Sequence, residues 1–484
     1  MTRQEQLKEI GEMTPQDFMS YFIIPLPHNF YENKSNVFSK IEKTEWKIVN
    51  NTETFKGRQL NAFNIKTYVY ENMIPPLEEK THIDKYKSLL LKKELNKKAK
   101  LNEYEFTISE IDLWIFDENI AFFTIKTEIN YAEYSINELS EFNRRFREFK
   151  FLDLDSGSDE LLFSRVNGYE ESKNGLLEYL IETTRVDEKS FLNIDKEQCT
   201  LSALSKKKTC KPNPLYPIYN TSTNAKLLTA VQTKTSTFSN TDEIEPLHET
   251  DLKPSTINGT STLQEVPFYL ASCLSLNPSK GNMGNEEYIN SLVDNGGFNI
   301  WKYSSGITIH DSFALFGLGD DGGPVAQNMK GHFYFIYMLN LYINYQARFI
   351  ENKLINEEFE ALDINDWYTK LQKLKNQFIT KEIGIKFQEN ELHKSMMSAL
   401  GTENMLGEIT DNLMETREIT QSNMGIYFTL IGFIFVSILE TPIKNFISNH
   451  VATIAFIAII AAIAWYFKRR SVKKYFRLIK TKFS

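Results

Sequence analysis

The sequence predicts an α+β (α/β) cytoplasmic domain, followed by long stalk helices and a C-terminal two-helix transmembrane hairpin. Three observations lead to this fold class. Strand-like and helix-like segments alternate through the first part of the 484-residue chain, which is typical of a mixed α/β architecture. Long apolar helical patterns begin at Met329, and two charge-free apolar runs lie close together near the C-terminus.

The two apolar runs are Met424–Leu439 and Val451–Phe467. As helices that rise about 1.5 Å per residue, each is just long enough to cross a bilayer core. The tail that follows, 468–484, carries eight Lys and Arg residues and no acidic residue. Because basic residues are retained on the cytoplasmic side, we predict a hairpin over 423–467 in a bacterial inner membrane, with the lipid bilayer as partner and both termini in the cytoplasm. The alternative is a pair of buried core helices.

The predicted α/β domain covers 1–328, with a helix near Pro15–Phe22 and a strand at Glu265–Leu276. Within it, Tyr104–Ile129 contains two β-branched and aromatic runs separated by a polar turn, which predicts a β-hairpin. Ser135 and Glu138 have the spacing of a capping box, which predicts the start of a helix. Residues 195–264 are rich in Ser, Thr, Asn, Lys and Pro and predict a long polar insertion.

A helical stalk is predicted over 329–422, and one helix within it is predicted over about Asp366–Leu400. Its last helix begins near Thr402 and carries a seven-residue repeat, in which one face recurs every three or four residues. The members are Leu406, Ile409, Leu413, Thr416, Thr420, Asn423, Tyr427, Leu430, Ile434, Ser437 and Thr441. A seam of this period indicates a helix that packs against copies of itself, and the sequence therefore predicts a homo-oligomer.

This seam turns polar towards the first apolar run, and polar groups in a membrane face water or a partner. The pattern predicts a pore lining. The predicted pore-lining residues are Thr416, Thr420, Asn423, Tyr427, Leu430, Ile434, Ser437 and Thr441. The alternative is a helix-dimer seam that tolerates a few hydroxyl groups.

Composition argues against several functions. The net charge of −8 becomes −16 for residues 1–467 once the +8 of the tail is removed, and an acidic body does not suggest nucleic-acid binding. Cys199, Cys210 and Cys273 are too scattered for a disulfide framework or a zinc site. The seven histidines show no metal-ligand spacing. With no catalytic motif present, we predict no enzyme activity, no catalytic residue, no metal site and no resident cofactor.

A cluster of arginines is the best candidate for binding an anion. Arg144, Arg145 and Arg147 end the helix that starts at the predicted capping box. Guanidinium groups bind phosphate or carboxylate through paired hydrogen bonds, and Arg165 is a further candidate. The alternative is that these charges simply complement the helix dipole at its C-terminal end.

The layout of the chain resembles the CorA-like superfamily of magnesium channels. The residues that carry the likeness are the hairpin, its ending Ala464–Arg470 and Asn423 at the start of the first apolar run. The family signature Gly-Met-Asn closes the first membrane helix, but the corresponding segment Leu439–Pro442 reads Leu-Glu-Thr-Pro. A filter for hydrated Mg²⁺ is therefore in doubt.

Divergent members without that signature include the CorA-like proteins associated with type III CRISPR systems, which this chain resembles. The resemblance implies a pentameric, ligand-gated membrane channel or effector of antiviral defence, activated by a nucleotide second messenger such as SAM-AMP. The arginines are then the candidate nucleotide site. The alternatives are a CorA-type transporter of a divalent cation such as Mg²⁺, and a membrane-anchored sensor that conducts nothing.

Overall fold

A computed structural model provides the architecture of the chain. The residues it describes are 3–26, 37, 40–41, 44–49, 54–55, 58–59, 65–74, 85–117, 120–157, 159–166, 175–186, 189–190, 224–233, 262–277, 285–301, 303–310, 312–319, 323–355, 363–379, 381–415, 417–418, 429–430 and 432. The chain divides into two compact units. The first comprises 1–359 and 367–410, and the second comprises 360–366 and 411–484.

The first unit is built on a mixed sheet of eleven strands. The strands of the chain are β1 (Asp17–Leu26), β2 (Lys47–Val49), β3 (Thr54–Phe55), β4 (Arg58–Gln59), β5 (Ser88–Leu101), β6 (Tyr104–Phe116), β7 (Ala121–Ile129), β8 (Leu152–Ser156), β9 (Glu160–Arg165), β10 (Arg185–Val186), β11 (Lys189–Ser190), β12 (Lys226–Thr233), β13 (Gly297–Trp301), β14 (Ser304–Ile309) and β15 (Ser312–Leu318). The large sheet runs β13-β14-β15-β12-β1-β7-β6-β5-β9-β8, with β2 also paired to β5. Its β12–β15 and β5–β9 pairs are parallel; β3–β4 and β10–β11 form separate two-stranded sheets.

Helices cover both faces of the large sheet. The α-helices of the described residues are α1 (Arg3–Glu12), α2 (Thr67–Met73), α3 (Ile136–Arg147), α4 (Leu176–Glu182), α5 (Thr262–Ser272), α6 (Glu286–Gly296), α7 (Val325–Asn328), α8 (Tyr334–Ile355), α9 (Asp363–Phe378) and α10 (Phe387–Ala399). A further helical segment, which we call the C-terminal helix, spans 402–415.

The central strands are apolar on both faces, and their residues alternate between two sets of helices. Phe22 of β1 contacts Phe142 and Phe146 of α3, with ring centroids 6.1 and 4.4 Å apart. The next residue towards the N-terminus, Tyr21, points the other way and lies 5.5 Å from Tyr334 of α8. This alternation follows from the two-residue period of a strand, and it places α3 and α8 on opposite faces of the sheet.

The capping box at the start of α3 is confirmed. The Ser135 hydroxyl accepts a hydrogen bond from the Glu138 backbone amide, and the Glu138 carboxylate accepts one from the Ser135 amide. The predicted β-hairpin over Tyr104–Ile129 is also confirmed, as β6 and β7. Both predictions rested on residues close together in the sequence, and the structure contains both elements.

Three other sequence-based assignments are wrong. A helix predicted near Pro15–Phe22 is instead the buried strand β1. The segment Glu265–Leu276, predicted as a strand, forms most of α5. A single helix predicted over Asp366–Leu400 is divided into α9 and α10.

The polar insertion over 195–264 stays a prediction, because most of it lies outside the described residues. Its described part includes β12, an interior strand between β1 and β15.

The predicted transmembrane hairpin is contradicted. Within the described parts of the chain, no helix is both long enough and apolar enough to cross a membrane. α8, with 22 residues, carries buried polar side chains such as Asn340 and Asn344. We therefore correct both the hairpin and the inner-membrane location inferred from it. Of 423–467, only residues 429, 430 and 432 are described.

The predicted seam can be checked only in its first part. Leu406, Ile409 and Leu413 are at most 1% exposed within the single chain, so their burial does not require a second copy. Leu430 is helical and 52% exposed. The other predicted pore-lining residues lie outside the described residues; they are Thr416, Thr420, Asn423, Tyr427, Ile434, Ser437 and Thr441.

A buried charged cluster joins the sheet to the start of α8. Lys126 of β7 is 2% exposed, and its ammonium group lies 2.7 Å from Asp112 Oδ2 and also contacts Glu110. Tyr334 of α8 donates a hydrogen bond of 2.8 Å to the same Asp112 oxygen. The Trp114 indole donates to the Tyr334 hydroxyl at 2.8 Å. One helix residue is thus fixed by three side chains of the sheet, including Thr124 Oγ1 at 2.9 Å.

Charge compensation explains why ions persist in this core. Burial alone would lower the pKa of Lys126, but the charges of Asp112 and Glu110 outweigh burial and raise it. Burial likewise opposes ionisation of Glu110, yet Lys126 and Lys92 lower its pKa to about 2. Lys126 therefore stays protonated and Glu110 ionised at neutral pH.

We predict that Lys126→Met strongly destabilises the fold. The change leaves the carboxylates of Asp112 and Glu110 without their shared counter-ion, and breaking a buried ion pair costs about 3–5 kcal/mol. The free energy of unfolding from denaturant titrations measures this. The control is Lys100→Met on β5, whose partner Glu105 is 72% exposed; its midpoint should match that of the unchanged protein. Equal midpoints for both variants would contradict the role assigned to the cluster.

Candidate functional site

A cleft in the first unit is a candidate binding site. It has a volume of about 520 Å³ and is bounded by α5, α6, the end of β14, the end of α10 and the start of the C-terminal helix. Its lining consists of Phe268, Ser272, Tyr288, Leu292, Asn295, Gly296, Thr308, Ile309, His310, Ser398, Ala399 and Asn404. Five separate segments of the chain therefore contribute to one concave surface.

The back of the cleft is closely packed, because three elements meet at Gly296, the last residue of α6. A Cβ atom at this position would overlap the carbonyl oxygen of Thr308 and lie 3.0 Å from the Ala399 Cβ. The Ser395 hydroxyl of α10 donates a hydrogen bond of 2.8 Å to the Gly296 carbonyl. At its other end, α6 is capped by the Asn285 side chain, which accepts from the Tyr288 amide.

The lining mixes polar and apolar side chains without a carboxylate, ammonium or guanidinium group, since it contains no Asp, Glu, Lys or Arg. Amides come from Asn295 and Asn404, hydroxyls come from serine and threonine, and Phe268 adds an aromatic ring. Tyr288, at the edge, is 58% exposed. Pockets of this composition hold ligands by apolar contact and a few placed hydrogen bonds, so the cleft suits an uncharged polar group that contains a ring.

Charge is concentrated in an adjoining hollow of about 360 Å³, which shares Asn295 and Ser398 with the cleft. Its lining includes Asp294, Glu391 and Lys394. Lys394 and Glu391 form an ion pair of 2.7 Å on the exposed side of α10. A ligand extending from the cleft would therefore meet groups of both signs.

Polar contacts attach α10 to α8. Asn340 of α8 lies 3.6 Å from the Met396 sulfur, and Asn344 donates to the Leu400 carbonyl at 3.1 Å. Near the first turn of α10, Glu389 is fully buried and lies 3.7 Å from His332 Nε2. Hydrogen bonds are directional, so the bond from Asn344 fixes the end of α10 along its own axis. His332 lies in the turn before α8, and its contact with Glu389 adds a second point of attachment.

The arginines predicted as an anion site lie close together but are already paired with carboxylates. Arg144 and Arg145 both bind Glu141, at 2.7 Å. Arg165 lies 2.7 Å from Glu148, and Arg144 lies 3.7 Å from the same carboxylate. An anionic ligand would have to compete with these carboxylates. The role of the arginines as an anion site stays a prediction.

Arg147 is separated from this surface group by its burial. It is 6% exposed, and its guanidinium group donates to the carbonyls of Ala225 and Ala271 at 3.1 and 3.2 Å. These bonds tie α3 to the residue before β12 and to α5. The structure therefore gives Arg147 a role in holding the fold together.

Metal binding has no candidate in the described part of the chain, where no group of three or more His, Cys, Asp or Glu residues could hold an ion. Cys273 is a buried free thiol, and the other two cysteines lie outside the described residues. Sequence reasoning did not find the cleft, because its residues follow no motif and converge only in the folded chain.

We predict that His393 makes stability depend on pH. Its ring nitrogen lies 2.8 Å from the Phe378 carbonyl, and burial lowers the pKa of His393 to about 4. Because the unfolded chain binds the proton more readily, the stabilising contribution is complete above about pH 6.5 and is lost as the pH falls towards 4.

The variant His393→Gln isolates this effect, since it keeps an N–H donor and does not titrate. Between pH 7 and pH 4.5, the unchanged protein should lose about 2 kcal/mol relative to the variant. Denaturant titrations across this range provide the measurement. A constant difference between the two proteins would contradict a buried neutral His393.

No protein-family model matches this chain, and no curated protein and no solved structure matches it.

Proposed function

We propose that this protein is a ligand-responsive regulatory protein, which binds a small molecule in the cleft between α6 and α10. Binding of the ligand changes the position of the C-terminal helix relative to α10. One observation carries the proposal. The chain connects α10, which is capped at Leu400, to the C-terminal helix at Gly401, a connection that we call the joint. The cleft is lined from both sides of this joint, by Ser398 and Ala399 before it and by Asn404 after it. A ligand that contacts both sides stabilises the joint geometry that it fits, and so shifts the populations of its conformations.

The lining indicates the chemical class of the ligand. An exposed tyrosine ring offers a surface for stacking, and the two asparagine amides can each donate and accept hydrogen bonds. Bases outside a duplex are recognised in this way, by aromatic stacking and by hydrogen bonds to their edges. A nucleoside group in the cleft, with a positively charged substituent facing Asp294 and Glu391 of the adjoining hollow, agrees with this division between neutral and charged surfaces.

The resemblance to CRISPR-associated CorA-like proteins supplies the first ligand to test, SAM-AMP, and an antiviral effector role. Channel activity is not part of this proposal, because it depended on the transmembrane hairpin. Assembly into a homo-oligomer stays a prediction; the burial of Leu406 and Ile409 within one chain removes the need for partners at those two positions.

We predict that filling the cleft abolishes binding. Ser398 is exposed on the last turn of α10, so Ser398→Trp places an indole in the cleft without disturbing the core. Calorimetry with SAM-AMP should show at least a tenfold loss of affinity, about 1.4 kcal/mol or more. The matched control is Ser164→Trp, an exposed position on β9, which should bind like the unchanged protein. Equal affinities for both variants would place the ligand outside the cleft.

The double variant Arg144→Ala, Arg145→Ala distinguishes the cleft from the arginine cluster. On the cleft proposal, its affinity for SAM-AMP stays within about twofold of the unchanged protein, less than 0.5 kcal/mol. A charge-assisted hydrogen bond to a ligand contributes about 1.5–3 kcal/mol, so an arginine site would show a far larger loss in the same calorimetry. Such a loss would reject the cleft in favour of the arginines.

A further inference from the structure

The joint between α10 and the C-terminal helix is a single left-handed residue. α10 is capped at Leu400, Gly401 has φ of +64°, and the helix resumes at 402. The Gly401 amide donates to the Ser398 carbonyl at 2.9 Å. A residue in the left-handed region commonly ends a helix and redirects the chain, and glycine adopts this conformation at no steric cost.

Asn344 of α8 contacts both sides of this joint. Its side-chain nitrogen donates to the Leu400 carbonyl at 3.1 Å and to Thr402 Oγ1 at 2.9 Å. Asn344 is 2% exposed and Thr402 is fully buried. The last carbonyls of a helix lack partners within the helix, so an amide from a neighbouring helix at this point satisfies one of them and holds the next helix by its first residue.

The clamp is itself held by the sheet. Asn344 stands on α8, and Tyr334 at the start of α8 is fixed by the buried Asp112 and Trp114. Because α8 is fixed against the sheet, the Asn344 side chain holds the joint at a defined position relative to the sheet. The joint does not depend on packing around Gly401, since a Cβ added at this residue would meet no atom within 4 Å.

We infer that Asn344 is a conformational clamp, which holds the Gly401 joint in the geometry that forms the cleft and so determines how the cleft ligand acts on the C-terminal helix. Only the ligand step rests on the proposed function; the clamp exists without a ligand. With Asn344 in place the cleft is formed, and a ligand that fits it stabilises the clamped joint. Without Asn344 the joint opens in part of the molecules. The apparent Kd of the ligand then equals its intrinsic Kd divided by the fraction of molecules that remain clamped.

Hydrogen–deuterium exchange on the full-length, ligand-free protein tests the clamp. The variant Asn344→Leu keeps the approximate volume and removes both hydrogen bonds. Amides of 401–410 should exchange at least tenfold faster, while those of β1 and β6 keep their rates. The control is Asn143→Leu on α3, the same change at another buried asparagine. Its amide donates to Thr229 Oγ1 of β12, and its loss should leave 401–410 unchanged.

A second pair of variants tests the joint without altering any buried side chain. Gly401→Ala places an unfavourable residue at positive φ, whereas Gly401→Asn supplies a residue that tolerates this region. Exchange at 401–410 should be at least five times faster in the alanine variant than in the asparagine variant. Equal exchange in this pair would overturn the claim that the left-handed residue sets the joint.

The outcomes separate the clamp from the proposed function. If Asn344→Leu accelerates exchange uniformly over the chain, or leaves 401–410 unchanged, the clamp is rejected whatever the ligand does. If the clamp behaves as expected and calorimetry shows no binding of SAM-AMP by the unchanged protein, the ligand assignment is rejected and the clamp stands. If both hold, Asn344→Leu should bind SAM-AMP at least fivefold more weakly than Asn143→Leu.

Discussion

The contact of Tyr334 with the buried charges of the sheet determines where α8 lies. Asp112 and Lys126 are at most 2% exposed, and burying such groups is favourable only when their partners are placed accurately. Hydrogen bonds set the position of a helix more strictly than apolar contacts do, because they are directional. The Tyr334 hydroxyl must meet Asp112, Trp114 and Thr124 at once. The polar cluster therefore fixes the axial position of α8.

The rest of the candidate mechanism depends on that position. α8 carries Asn340 and Asn344 to the interface with α10, and their spacing of four residues places them on one helix face. Asn340 meets the middle of α10 at Met396, and Asn344 meets its end at Leu400. The clamped end of α10 contributes one wall of the cleft, and α6 contributes the other. Contacts of fixed direction thus run from the centre of the sheet to the joint.

Local signals made part of this fold predictable. The β6–β7 hairpin and the capped helix α3 each depend on residues close together in the sequence, and both were predicted. β1 was missed because it is buried on both faces and shows no polar alternation, and α5 resembled a strand because Val266, Phe268 and Tyr269 favour strands. β12 was hidden in a segment whose composition is mostly that of a loop.

The candidate site could not be predicted from the sequence, for a different reason. Its walls come from segments between Phe268 and Asn404 that meet only after folding. The sequence predicted an anion site at the arginines from their charge alone. The ion pairs that compete with an anion could also have been predicted, since Glu141 precedes Arg144 and Arg145 by three and four residues. Such pairs face each other on a helix, and the structure contains both.

The most direct test of the account is the distance between α10 and the C-terminal helix, with and without ligand. Spin labels at Phe387→Cys and Glu408→Cys, both exposed positions, would report it by pulsed electron paramagnetic resonance in a protein whose native cysteines are replaced by serine. In the Asn344→Leu variant, whose joint opens, saturating SAM-AMP should narrow the distance distribution towards that of the unchanged protein, and adding Ser398→Trp should prevent this. An unchanged distribution in a protein shown by calorimetry to be saturated would contradict the account.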